Sequence, residues 1–255
     1  MLESIDNSYQ HFIKDFQNIY KNPEKVNNFL EENSDNIENK IKKLFLNLNL
    51  NKNFSIYANG GFGRKEMFPS SDIDISIIQT SKTNNYENLE KFISSLWDEG
   101  YQIGHSVRSI NDIKKISKED IKDFTSYLTR RPIITVDEID LKITQALSRL
   151  WSKDRFFKAK SDEQLVRHRD YHSTSYNLEP DLKESPGALR DFQTALWILQ
   201  HCFGLDDLKS IQHSDNFKND INNAIEAYNF IKTLRFASNV FTKKNRLNFE
   251  AQLDI

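Results

Sequence analysis

Cysteine, glycine, proline and methionine are all scarce in this chain: one, seven, five and two among 255 residues. A single cysteine excludes an internal disulfide, and Cys202, inside the apolar run ALWILQHCF, reads as a buried small hydrophobe rather than a nucleophile. No apolar run approaches the roughly 20 residues that cross a bilayer. The opening MLESIDNSYQ lacks the basic start and apolar core of a secretory signal. A cytoplasmic location with no membrane partner is expected. A formal charge of −2 gives no basic footprint for a duplex, so no nucleic-acid partner is expected and any bound polyanion is small, local clusters such as Arg130-Arg131 and Lys243-Lys244 notwithstanding. What the chain does have is apolar and charged mass in globular proportion, with 18 Phe, 9 Tyr, 38% hydrophobic and 28% charged residues.

Against that scarcity, the stretch YANGGFGRKEMFPSSDIDISII at 57–78 sets two glycines back to back, just upstream of two aspartates. Around it, Phe12, Phe16 and Ile19, then Phe29, Ile37, Ile41, Leu44 and Phe45, recur at helical spacing and predict two helices before residue 50. Residues 54–59 predict a strand running into Gly60-Gly61, and 72–79 alternate with the two-residue period of a second strand, with a loop and one helical turn between them. Leu89, Phe92, Ile93, Leu96 and Trp97 predict a crossover helix over 86–98 that returns to a third strand at 101–108. Beyond 135 only helical stripes are visible, over 139–171, 187–203 and 218–243, interrupted by SYNLEPDLKESPGALRD at 175–191. The expected fold is α+β: a small mixed sheet with N-terminal helices over 1–135, then an all-helical domain over 136–255.

On a strand, side chains at i and i+2 point the same way, so Asp72 and Asp74 project from one face while Ile73, Ile75 and Ile77 take the other. Two neighbouring carboxylates repel unless a cation sits between them, and an oxygen-only donor set suits Mg²⁺ completed by substrate phosphates. Gly60 and Gly61 allow backbone N–H groups to approach a phosphate chain, Arg64 can add a bidentate contact, and Ser70 and Ser71 add hydroxyl donors. A phosphate cradle beside a metal-binding pair points to nucleotidyl transfer with in-line attack. Either feature alone is also what an ordinary turn or an exposed strand looks like; it is their joint spacing that carries the reading.

That spacing, GG-F-GR-x-E-x-x-P-x-SDID, resembles the signature of the polymerase-beta-type nucleotidyltransferase superfamily, and the wording GGFGRKEMFPSSDID resembles the bacterial PII uridylyltransferase/uridylyl-removing family. IGHSVRSI at 103–110, NLEPDLKESPGALRDFQTALWI at 177–198 and LRFASNVFTKKNRLNFEAQ at 234–252 are similar to further segments of that family, in the same order. The resemblance implies an enzyme that transfers UMP from UTP to a tyrosine of the PII signal protein with Mg²⁺. It implies Asp72 and Asp74 as metal ligands and Gly60, Gly61 and Arg64 on the triphosphate. Lys183, Glu184, Arg190 and Asp191 would border the nucleotide cleft, with Lys183 and Arg190 on phosphate; a loop held by a salt bridge and an N-cap is the other reading of those four.

Three departures qualify the match. Ser185-Pro186-Gly187-Ala188 stands where the family has GPGG, two residues averse to positive φ replacing glycines. The third strand offers His105 but no acid, leaving Asp120, similar in position to the family's DLT segment, as the candidate third ligand or general base. The chain contains no His-Asp dipeptide, so the family's HD removal activity and its ACT glutamine sensors are expected to be absent. His168 and His172, at i and i+4, share a helix face as zinc ligands can, but lack a third ligand nearby. Two other functions remain open at this stage: a nucleotide-binding regulatory module with little catalysis, and a nucleotidyltransferase with another acceptor.

Overall fold

The computed structural model describes residue 19 and residues 21–136, 138–171, 178–205 and 218–248. These fall into two compact units, one of Leu30–Met67 and Ser71–Ala159, the other of Met1–Phe29, Phe68–Ser70 and Lys160–Ile255. Phe12, Phe16 and His172 lie outside the described residues.

The first unit is built on a four-stranded sheet of order β3-β2-β1-β4. Helix α1 (Pro23–Asn47) leads through a 3-10 turn, Leu50–Lys52, into β1 (Phe54–Ala58), the four-residue helix α2 (Gly60–Gly63) and β2 (Ile73–Gln79). Helix α3 (Tyr86–Asp98) then crosses over to β3 (Ile103–Arg108), which pairs parallel with β2, whereas β1 pairs antiparallel with β2. The α+β class and the mixed sheet follow the sequence expectation. Alternation decides the layering: Ile73, Ile75 and Ile77 enter a core with Ile37, Ile41 and Phe45 of α1 and Leu89, Phe92, Ile93 and Leu96 of α3. Each such side chain, fully buried, contributes roughly 1.5–3 kcal/mol. Trp97, placed by periodicity in the same stripe, is half exposed and meets the His105 ring edge-on at 5.9 Å.

The segment after β3, to which periodicity assigned no element, forms α4 (Ile110–Glu119), α5 (Ile121–Leu128) and β4 (Arg131–Ile134). Local caps start both helices: Ser109 and Asp112 make a reciprocal capping box, and the Asp120 side chain accepts from the N–H groups of Lys122 and Asp123. The long stripe expected over 139–171 is two helices, α6 (Ile139–Leu147) and α7 (Lys153–Asp170). The break falls at Trp151, buried with its indole N–H donating to the Ser117 carbonyl at 2.8 Å, followed by Ser152, whose hydroxyl accepts from Arg155 N–H.

In the second unit, α8 (Leu189–Ile198) runs into a π-helical turn, Leu199–Phe203, that buries Cys202, and α9 (Lys218–Thr242) follows. Phe192 stacks on Tyr228 at 4.1 Å and Phe29 meets Phe236 edge-on at 5.2 Å. The loop before α8 is tied down by backbone bonds from Leu182 to Asn245 and from Leu247 to Pro180. Among its described residues only Gly187 has a positive φ, +81°, while Ala188 sits at φ −81°, so Ser185 and Ala188 occupy positions that any residue can adopt. Ser185 uses the place to accept the Asp181 N–H on its hydroxyl.

Candidate active site

The sheet face opposite the isoleucine core carries the polar residues. Asp72 lies exposed just ahead of β2 and Asp74 is exposed within it, between buried Ile73 and Ile75. The register sets Asp74 directly beside Gly104 of β3. A Cβ at Gly104 would stand 2.6 Å from Asp74 Oδ1, and one at Gly60 would stand 2.9 Å from Oδ2. Gly60 also has φ +55°, a left-handed conformation that a side chain resists. Two glycines, one from the turn after β1 and one from the neighbouring strand, thus frame a single carboxylate.

From Asp74 a pocket of about 420 Å³ opens across β2 and β3 towards α5. Gly60, Asn59, Ser76, Gly104, Ser106 and Asp120 are among its lining residues. Asp120 reaches it as the N-cap of α5, exposed, with Oδ1 engaged by the helix N–H groups. The α5 wall is held to β3 by the Arg108–Asp123 ion pair, whose carboxylate also accepts the Ser117 hydroxyl at 2.6 Å. His105 lines the pocket as well as packing on Trp97.

Of the site residues read from the sequence, the pocket therefore brings together Gly60, Asp74 and Asp120. Gly61, Arg64, Ser71 and Asp72 belong to the same unit but do not line it. The Arg64 guanidinium is held by Glu66 at 2.9 Å. Ser70, Lys183 and Arg190 fall in the other unit. There Arg190 pairs with Glu184 at 3.0 Å and bonds Gln193, and Asp191 accepts the Gly187 N–H and pairs with Arg167 and His168. Burial alone would push the Asp191 carboxyl up; the Gly187 N–H, His168 and Arg167 outweigh it and hold the group below the usual range. His168 is thus occupied by a carboxylate, and among the described residues no group of three or more His, Cys, Asp or Glu side chains gathers as a zinc-type site would.

Sequence reasoning missed Asn59, Ser76, Gly104 and Ser106. Their only sequence signal is polarity or smallness inside otherwise apolar strands, at Ser76 among isoleucines and Gly104 in a strand interior.

Residues 155–255 match the protein-family model described as GlnD PII-uridylyltransferase. The chain is 38% identical over 208 residues to the bifunctional uridylyltransferase/uridylyl-removing enzyme of Haemophilus influenzae (strain PittEE), covering 79% of this chain and 24% of that protein. It is 37% identical over 210 residues to the enzyme of the same name from Aliivibrio fischeri (strain MJ11), 80% of this chain and 24% of that one. The enzyme of Hydrogenovibrio crunogenus is 34% identical over 235 residues, 89% and 26% respectively. The chain spans about a quarter of the length of these relatives. Over that span, it is a homologue of these bifunctional uridylyltransferase/uridylyl-removing enzymes.

Proposed function

We propose that this chain carries the transfer centre of a uridylyltransferase, moving UMP from UTP onto a tyrosine hydroxyl of a PII signal protein. The observation that carries the reading is the framing of Asp74 by Gly60 and Gly104 at the mouth of a polar pocket shared with Asp120. Such a site fits a hard divalent cation, because its donors are all oxygen and two missing Cβ atoms leave space around the carboxylate. Asp72 and Asp74 would hold Mg²⁺, which when bound neutralises charge developing on the transferred phosphoryl group.

The chain's own groups do the rest. Backbone N–H groups of Gly60 and Gly61 bind triphosphate oxygens, and Arg64, fixed by Glu66, adds positive charge beside them. Asp120 takes the proton from the acceptor hydroxyl as its oxygen attacks the α-phosphorus; the bond to the β,γ-pyrophosphate breaks, and pyrophosphate leaves. The relatives' names support uridylyl transfer, while the choice of uracil and of acceptor comes from that kinship.

Incubating the chain with labelled UTP, Mg²⁺ and a PII protein tests this. Label on the acceptor and released pyrophosphate are expected, both abolished in an Asp72→Ala/Asp74→Ala double variant. Nucleotide binding without turnover would point instead to a regulatory module, and label on a different acceptor to another transferase.

A further inference from the structure

Inward from Asp74 the pocket has a floor that the transfer chemistry above does not use. Two residues along each strand from the Asp74–Gly104 pair, Ser76 lies beside Ser106, their hydroxyls 3.4 Å apart. Tyr127 of α5 stands beside them, its hydroxyl buried without a hydrogen-bond partner. Asn59, at the end of β1, donates its backbone N–H to the Asp74 carbonyl at 2.9 Å and its side-chain amide to the Ser76 hydroxyl. All four line the pocket, and three are deeply buried: Asn59 is 7% exposed, Ser76 2% and Tyr127 0%.

The other end of the Asn59 carboxamide, Oδ1, is buried without a hydrogen-bond partner. A buried amide oxygen left in that state is unfavourable, and native structures keep such groups where something else completes them. Exchanging the amide's oxygen and nitrogen would only leave the NH₂ unpartnered in its place. A hydroxyl satisfies either orientation, because it both donates and accepts; the neighbouring Ser and Tyr hydroxyls can adjust their own protons to suit it.

We propose that Asn59, Ser76, Ser106 and Tyr127 form a hydroxyl-binding subsite beneath Asp74, a proposal that rests on the uridylyl-transfer reading. That chemistry has two sources in such a reaction: a ribose hydroxyl of the nucleotide, or the hydroxyl of the acceptor side chain. The subsite orients whichever it receives against the Asp74 carboxylate.

The test compares the wild-type chain with Asn59→Val and Ser106→Ala, the second removing one half-buried hydroxyl with the backbone untouched. Thermal melting establishes which variants fold. Titration with UTP, 2′-deoxyUTP and 3′-deoxyUTP in Mg²⁺ reads the ribose arm; kcat and KM for the PII acceptor read the other. A ribose source is expected to show wild type binding one deoxy analogue roughly five- to tenfold more weakly than UTP, with that preference erased in the variants. An acceptor source is expected to leave nucleotide affinities alone and lower kcat/KM for the acceptor by a similar factor. Folded variants that hold UTP affinity, deoxy discrimination and acceptor kcat/KM within twofold of an active wild type would overturn the subsite while leaving the transfer reading intact. A wild type that neither binds nor consumes UTP would instead remove the transfer reading, and the subsite with it.

Discussion

At the scale of single residues, Asp74 and the glycines beside it make the sharpest claim. Gly104→Ala would force a Cβ to within 2.6 Å of Asp74 Oδ1, and the flexible carboxylate rather than the backbone would yield. On the proposed reading Asp74 is a metal ligand, and displacing it by about 1 Å costs on the order of a hundredfold in turnover. Gly104→Ala should therefore lose about that much kcat, read in the pyrophosphate-release assay, with a melting temperature close to wild type. Gly63→Ala should do the reverse. Its Cβ would meet two backbone carbonyls, Thr129 O at 2.4 Å and Ala58 O at 2.9 Å, which cannot turn away. A stability loss of about 1–3 kcal/mol in urea denaturation is expected. Sequence alone makes the closeness of Gly60 and Asp74 legible, because it is local: a turn, then period two. The use of Gly104 is not, since it depends on a parallel register with a strand some thirty residues earlier. Asn59 and Ser76 are hidden for the same reason, their partnership arising only across strands.

Among the elements, α5 is the one on which the site leans, because it delivers Asp120, Asp123, Ser126 and Tyr127 to the pocket. Its anchor is Phe124, 1% exposed and packed against Phe156 at 5.8 Å and Trp151 at 6.2 Å. Phe124→Ala should cost about 3–5 kcal/mol in denaturant unfolding and loosen the wall that carries Asp120. A cost under 1 kcal/mol would mean that α5 is held by something other than this packing. The capping residues that start α4 and α5 stand in the sequence, Ser109 with Asp112 and then Asp120, but two short helices separated by one residue offer too few turns for an apolar stripe to show. Strand β4 is weaker still. Arg131–Ile134 is four residues with a proline, tolerated because β4 is an edge strand, and its pairing with β1 shifts register between Ile56 and Tyr57. By contrast, α3 was readable to the residue, since Leu89, Phe92, Ile93 and Leu96 all face one core.

Over the whole molecule, acid sensitivity follows from carboxylates that are paired in both units. For Glu38 and Glu184, as for Asp191, burial would raise the carboxyl, but cationic partners prevail: Lys42 and Arg131 for Glu38, Arg190 for Glu184. All three sit below their ordinary values in the folded chain. A depressed carboxyl adds stability in full above its unfolded value, near 4, and that stability drains as pH falls through the lower folded value. Unfolding midpoints should stay level from pH 8 to about 5 and then drop. Asp191→Asn should lower stability at pH 7 and shrink the acid-side drop, because Arg167 and His168 lose their shared partner. Midpoints that respond to pH equally in wild type and variant would remove Asp191 from this explanation. At this scale, the mixed sheet and the helical remainder were legible, because both rest on the period of apolar residues. The distribution of residues between the units was not, since it joins Phe68–Ser70 to segments far away in sequence.

The most direct test of the central claim is diffraction from crystals of the chain soaked in UTP and Mg²⁺. The expected map has a cation held by Asp72 and Asp74, with the triphosphate along the Gly60–Gly61 backbone. Nucleotide bound elsewhere, with the Asp74 carboxylate closed against protein groups and no ion beside it, would contradict the account.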